Sequence, residues 1–168
     1  MNKKFKNEPW QIQGEKAEKL FVTTCKKNGW DTIKTSYKND FLNHFDFFIE
    51  GYNQKYKVEV KSRKKISRKD DIYQDDWIWL ELKGKNFSPG WIYGSKADYV
   101  AFEMSDSFIL CKIEDLKEII KKKVDIYKKV KYPKYAKYKV YTRFNCGDLL
   151  TLIRSNDIME IMSFQFLK

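Results

Sequence analysis

The chain has 168 residues, 34 Lys and Arg against 23 Asp and Glu, and a formal net charge of +11. That length suits one domain with a real core, and 17% aromatic residues argue against a disordered chain. No apolar run approaches membrane-spanning length, and no apolar segment follows the basic start MNKKFKNEPW. Neither a membrane span nor a secretory leader is expected on that reading, and a cytoplasmic protein is.

The cationic surplus points to a polyanionic partner, nucleic acid before others. Cys25, Cys111 and Cys146 stand apart with no C-x-x-C spacing. Neither a zinc site nor a disulfide framework is expected from them. A single domain is expected over residues 1–168, with 1–9 a flexible basic arm.

Over residues 13–28 the pattern is helical: Ala17, Leu20, Phe21, Thr24 and Cys25 share one stripe. Gly29 sits where helices end. Residues 30–37 read as a first strand. Residues 45–62, FDFFIEGYNQKYKVEVKS, read as two strands joined by a turn at 51–54. If pairing closes at Glu50 and Lys55, then Asp46 faces Glu59. Alternation places Phe45, Phe47, Ile49, Tyr56, Val58 and Val60 on a core face. Asp46, Phe48, Lys57, Glu59 and Lys61 take the other. Cross-strand neighbours lie roughly 5 Å apart at Cβ, and like charges there destabilise. Two opposed carboxylates call for compensation, and a divalent cation on hard oxygen ligands supplies it.

A basic loop follows at 63–69. Residues 75–83, DDWIWLELK, alternate Trp77, Trp79 and Glu81 against Ile78, Leu80 and Leu82, a strand pattern. Ser88-Pro89-Gly90 is a turn signal. Beyond it, Trp91 and Tyr93 are either a binding wall or a buried aromatic turn. Residues 98–104 and 108–113 read as a second hairpin. Residues 114–124 form an amphipathic helix with Leu116, Ile119 and Ile120 inward and lysines in the last turn. The segment 130–139 is Lys/Tyr-rich and loop-like. The remaining apolar runs carry no firm assignment.

Asp46, Glu59 and Lys61 make a D-x(12)-E-x-K pattern on consecutive strands. This resembles the PD-(D/E)XK nuclease superfamily. The resemblance implies a restriction-endonuclease-like α/β fold, a mixed β-sheet flanked by helices. It also implies Mg2+ or Mn2+ held by Asp46 and Glu59, and a water positioned or activated by Lys61. Phosphodiester hydrolysis needs those types: carboxylates for a hard Lewis acid, and positive charge for the phosphate oxygens. Glu81-x-Lys83 repeats the E-x-K spacing but has no acid placed opposite it.

Upstream, GEKAEKLFVTTCKKNGW is similar to the first helix of archaeal-type Holliday junction resolvases, with Glu18 at the position of their helix glutamate. VEVKSRKK is similar to their third-strand motif. The likeness covers residues 13–65. Phe45, not proline, precedes the first acid. The expected function is a metal-dependent deoxyribonuclease, an endonuclease, with catalytic residues Asp46, Glu59, Lys61 and Glu18. The alternatives are a branched-DNA resolvase specifically, or a catalytically inactive nucleic-acid-binding or inhibitor protein on the same fold.

Lys57, Arg63, Lys64, Lys65, Arg68 and Lys69 cluster beside the acid pair and are the expected DNA contacts, with His44 either a phosphate contact or a structural hydrogen-bonder. Lysines at 128–139 interleave with Tyr127, Tyr132, Tyr135 and Tyr138, a pattern that serves stacking on bases or plain solvation. Two-strand cutting is simplest with a homodimer, for which strand 75–83 is the expected interface.

Overall fold

The computed structural model describes residues 9–35, 45–144 and 146–168. Helix α1 (Pro9–Lys27) carries the stripe read from the sequence: Ala17, Phe21, Thr24 and Cys25 are buried. It opens at Pro9, where proline's missing N–H costs nothing. Pro9, expected in the flexible arm, is instead the first helical residue, and residues 1–8 lie outside the described residues. Two residues past the helix, Gly29 turns the chain with a φ of +79° that favours glycine, and Trp30 N–H returns to the Cys25 carbonyl at 3.0 Å.

Strands β1 (Asp31–Lys34), β2 (Phe47–Gly51) and β3 (Gln54–Lys61) form an antiparallel meander. The register agrees with the sequence reading, Glu50 opposite Lys55 and Phe47 opposite Val58. Pairing runs one step further, to Gly51 and Gln54, so the turn is Tyr52–Asn53. Both turn residues have positive φ, 53° and 61°, as the strand twist demands of a two-residue hairpin. Tyr52 tolerates this with its ring edge-on to Trp30 at 5.6 Å.

The chain then leaves this sheet. Strand β4 (Trp77–Lys83) and the short α2 (Trp91–Gly94) form the crossover to β5 (Tyr99–Glu103), which lies parallel to β3. Strand β6 (Ser107–Lys112), α3 (Ile113–Lys123), β7 (Asp125–Val130), β8 (Lys139–Tyr141), β9 (Leu149–Arg154), α4 (Ser155–Glu160) and β10 (Met162–Leu167) follow. The architecture is mixed α/β, with two mixed sheets rather than the one expected. Six strands run in the order β1-β2-β3-β5-β6-β10, and four in the order β4-β9-β8-β7.

Two cores explain the layering. On one face of the larger sheet, α1 packs Phe21 against Phe47, Phe108 and Phe166. On the other, Val100, Phe102, Ile109 and Cys111 meet Leu80, Leu82 and Ile153 of the second sheet, with Leu116 and Ile120 of α3. Strands β5 and β6 are covered on both faces, which is why YVAF and FILC read as unbroken apolar runs. Gly90 fixes how α2 joins: a Cβ there would stand 2.1 Å from the Glu81 carbonyl oxygen, so only glycine lets this backbone lie on β4. Among the described residues no helix is long and apolar enough to cross a membrane.

Candidate active site

The hairpin brings Asp46 and Glu59 to the end of β3, and both are buried. Asp46 lies one step past the last ladder pair, so it is not squarely opposite Glu59. Its N–H donates to the Val58 carbonyl at 2.9 Å, and its Oδ2 accepts the Val60 N–H at 2.6 Å. Strict alternation fails where the ladder ends. Phe45, expected on the core face with Phe47 and Ile49, packs its ring 5.2 Å from Phe48 with the Lys57 ammonium 5.8 Å away.

Burial, then the nearby Glu59 carboxylate, pushes the Asp46 acid from its ordinary 3.8 up to about 8. The Val60 N–H and Lys61 oppose the rise, and Glu18 adds slightly to it. Asp46 therefore keeps its proton near neutrality when no cation is bound. Glu59, with a side chain 9% exposed, pairs through Oε1 with the Lys61 ammonium. Its Oε2 is buried and has no hydrogen-bond partner, alone in this among the described residues. A buried carboxylate oxygen left bare is costly and calls for a ligand.

The Lys61 ammonium also sits 4.7 Å over the Trp91 ring. Trp91 is the residue after Gly90, so the close fit of α2 on β4 aims this ring at the site. Sequence reading left Trp91 open between a wall and a buried turn. It is half-buried against the second core and also touches Lys61. Lys64 lies close enough to feel Lys61: burial first, and Lys61 next, lower its pKa, while Glu103 raises it.

Glu18 is half-buried and bound to Lys34 at 2.7 Å, whereas Glu15 is exposed. The helix glutamate near the acid pair is thus Glu18. Gln13, which the sequence reading passed over, donates from α1 to the Arg63 carbonyl and ties the helix to the basic segment.

The expected DNA contacts separate into kinds. Arg63 is engaged by Asp75, and its N–H donates to Glu103 at 3.1 Å. Lys65 stands 5.3 Å over the Tyr73 ring. Arg68 and Lys69 are exposed, and Lys57 is half-exposed. His44 lies outside the described residues.

Among the described residues no group of three or more His, Cys, Asp or Glu side chains is placed to hold a metal ion. The pair Asp46 and Glu59 suits Mg2+ nonetheless, because that ion is commonly held by one or two carboxylates, water and substrate phosphate. The bare Glu59 Oε2 and the proton retained on Asp46 both mark a site short of positive charge. In comparisons with known proteins, no family model, curated protein or solved structure matches this chain.

Proposed function

We propose that this chain is a metal-dependent deoxyribonuclease of the restriction-endonuclease-like fold, cutting DNA phosphodiester bonds internally, in the cytoplasm. The observation that carries the reading is the unsatisfied, buried Glu59 Oε2 beside a second buried acid and a lysine. Nothing in an ordinary hairpin face requires that arrangement.

In this reading Asp46 and Glu59 would hold Mg2+ or Mn2+. The bound ion supplies a Lewis acid that polarises the phosphate and makes water more acidic. The chain's own groups do the rest. The Val60 N–H orients the Asp46 carboxylate. To serve as a ligand Asp46 would have to be deprotonated, so metal uptake would be coupled to proton release. Lys61, held between Glu59 and the Trp91 ring, presents its ammonium to the attacking water and to charge building on the phosphate. Lys64 adds positive charge behind it. Glu18, steadied by Lys34, supports the acid pair from the helix side.

The nearness of Glu18, with Glu15 turned to solvent, favours the narrower reading of a branched-DNA resolvase. One gel tests both. Plasmid, linear duplex and a four-way junction are incubated with Mg2+ or with EDTA. Cleavage is expected in Mg2+ alone, lost in Glu59→Ala and Lys61→Ala while DNA binding persists. A Glu59→Ala protein that cuts at the wild-type rate refutes this active site. Binding of all three DNAs with no cutting in Mg2+ or Mn2+ identifies an inactive binding protein on the same fold.

A further inference from the structure

The second sheet carries a surface that the acid pair does not use. Alternation along β4 sends Ile78, Leu80 and Leu82 toward the core. Trp77 and Trp79 belong to neither core and stay half-exposed. Two residues apart on one strand, they stand about 7 Å from one another on the same face.

Cations sit on the Trp77 ring, while the Trp79 ring has Tyr141 tilted against it at 6.2 Å. The Lys137 ammonium is 4.5 Å from the Trp77 ring centre, and the Arg154 guanidinium is 5.4 Å away. Arg154 is the ladder partner of Trp77. The Trp79 indole N–H donates to the Lys65 carbonyl at 3.1 Å, and Lys65 covers Tyr73. The 131–138 connection repeats the pairing: Tyr132 and Tyr135 are 51% and 54% exposed, with Lys131 and Lys134 over their rings at 5.5 and 5.0 Å.

The neighbouring acids are largely neutralised from within. Glu81 meets Arg143 at 3.7 Å, Asp75 is bound by Arg63, and Asp157 accepts from Lys123 at 2.7 Å and from the Tyr138 hydroxyl at 2.6 Å. Arg154 lies in the field of Asp157, and Asp76 stays exposed. The net face is aromatic and positive.

Each exposed ring–cation pair is worth only about 0.5–1 kcal/mol, so a ligand displaces it easily. A ligand that answers both halves of the pair needs π-faces and a regular run of negative charge. A polynucleotide strand has both, but in a duplex its base faces are hidden in the stack. Self-pairing of the strand is also blocked. Gln74 takes both the N–H and the carbonyl of Trp77 at 2.7 Å, and Gly90 takes the Leu82 carbonyl at 3.2 Å. A second copy therefore cannot add itself edge-to-edge along β4.

We propose that this face binds single-stranded DNA, with bases on Trp77 and Trp79 and phosphates on Lys65, Lys137 and Arg154. Residues 62–76 link the end of β3, which carries Glu59 and Lys61, directly to Trp77. A strand held here leads toward the acid pair. In naming the substrate as DNA with an unpaired segment, the proposal rests on the nuclease reading, but the binding itself does not.

Binding is measured in EDTA, so that hydrolysis plays no part. The probes are an oligothymidylate of about 15 nucleotides and a duplex of equal length. Wild type and Asp46→Asn should both bind the single strand more tightly than the duplex, with quenching of tryptophan fluorescence. Lys137→Gln with Arg154→Gln, both surface changes, should weaken single-strand binding roughly tenfold and lower the salt slope by about 0.7 for each phosphate no longer neutralised. Trp77→Leu should weaken it to a similar degree. The proposal is overturned if the duplex binds as well as the single strand, or if the double glutamine variant binds oligothymidylate like wild type. It is equally overturned if Trp77→Leu dissociates a dimer and leaves oligothymidylate binding unchanged, since the face then belongs to a second copy. Should single-strand binding hold while the Mg2+ gel shows no cutting, the nuclease reading fails alone.

Discussion

Asp46→Asn should stabilise the metal-free protein while abolishing cleavage. Asparagine keeps the shape of the side chain and an oxygen to accept the Val60 N–H, held at 2.6 Å by Asp46. What it removes is an acid whose ionisation is opposed first by burial and then by the nearby Glu59. The folded-state value of Asp46 is about 8 against an ordinary 3.8. A raised acid contributes fully below its unfolded value, and that contribution is lost as pH climbs through the folded one. Between these limits the native state binds a proton the unfolded chain has released, at about 1.4 kcal/mol per pH unit. By pH 7 the loss is on the order of 4 kcal/mol as a ceiling. In EDTA the wild type should lose stability steadily from pH 4 to pH 8, whereas Asp46→Asn has no such slope from this position. The two should converge near pH 4, with the variant ahead by several kcal/mol at pH 8. At about 2–4 °C per kcal/mol for a chain of this size, that is a rise of roughly 5–15 °C in Tm. Added Mg2+ should raise the wild-type Tm at pH 8 by mass action and leave the variant unmoved. Urea and thermal melts across this pH range decide it. An Asp46→Asn protein less stable than wild type at pH 8 in EDTA would refute the account of an acid raised by burial and by its neighbour Glu59.

Gly90→Ala should destabilise the fold by about 3 kcal/mol, since its Cβ would meet the Glu81 carbonyl at 2.1 Å, and should slow cleavage by displacing Trp91 from Lys61; an unchanged urea midpoint contradicts this. Replacing Arg63, Lys64 and Lys65 together should weaken duplex binding about equally for unrelated sequences. Because Asp75 already engages Arg63, the log–log salt slope should fall by about 1.8, the share of two phosphates, and a slope equal to wild type would show a merely solvated loop. A homodimer is expected at micromolar concentration, built without strand addition at β4; sedimentation velocity showing only monomer, with and without DNA, counts against it.

The local elements were legible because their causes are local. The α1 stripe and Gly29, the 45–62 register, the alternation of β4 and the amphipathic α3 each rest on a spacing of 3.6 or 2 residues. The acid pair was legible for the same reason: a tight turn fixes which residues of a hairpin meet. The last step of that reasoning failed. The ladder stops at Phe47, so Asp46 swings to the Val60 N–H and Phe45 joins Phe48. A spacing rule cannot say where a ladder ends.

Contacts between distant segments stayed hidden. LLTLIR and MSFQFL are short apolar runs in the sequence. Only tertiary pairing makes β9 the partner of β4 and sends β10 back to the edge of the first sheet. The second sheet therefore went unread, and with it the face of Trp77, Lys137 and Arg154. The turn Ser88-Pro89-Gly90 was visible, yet its consequence was not, because the glycine is required by a carbonyl on another strand. The sequence by itself determined which acids and which lysine come together. Tertiary structure decided how deeply they are buried, and hence that Asp46 holds its proton and that Glu59 Oε2 is left bare. Burial is a sum over the whole fold, and no local spacing contains it.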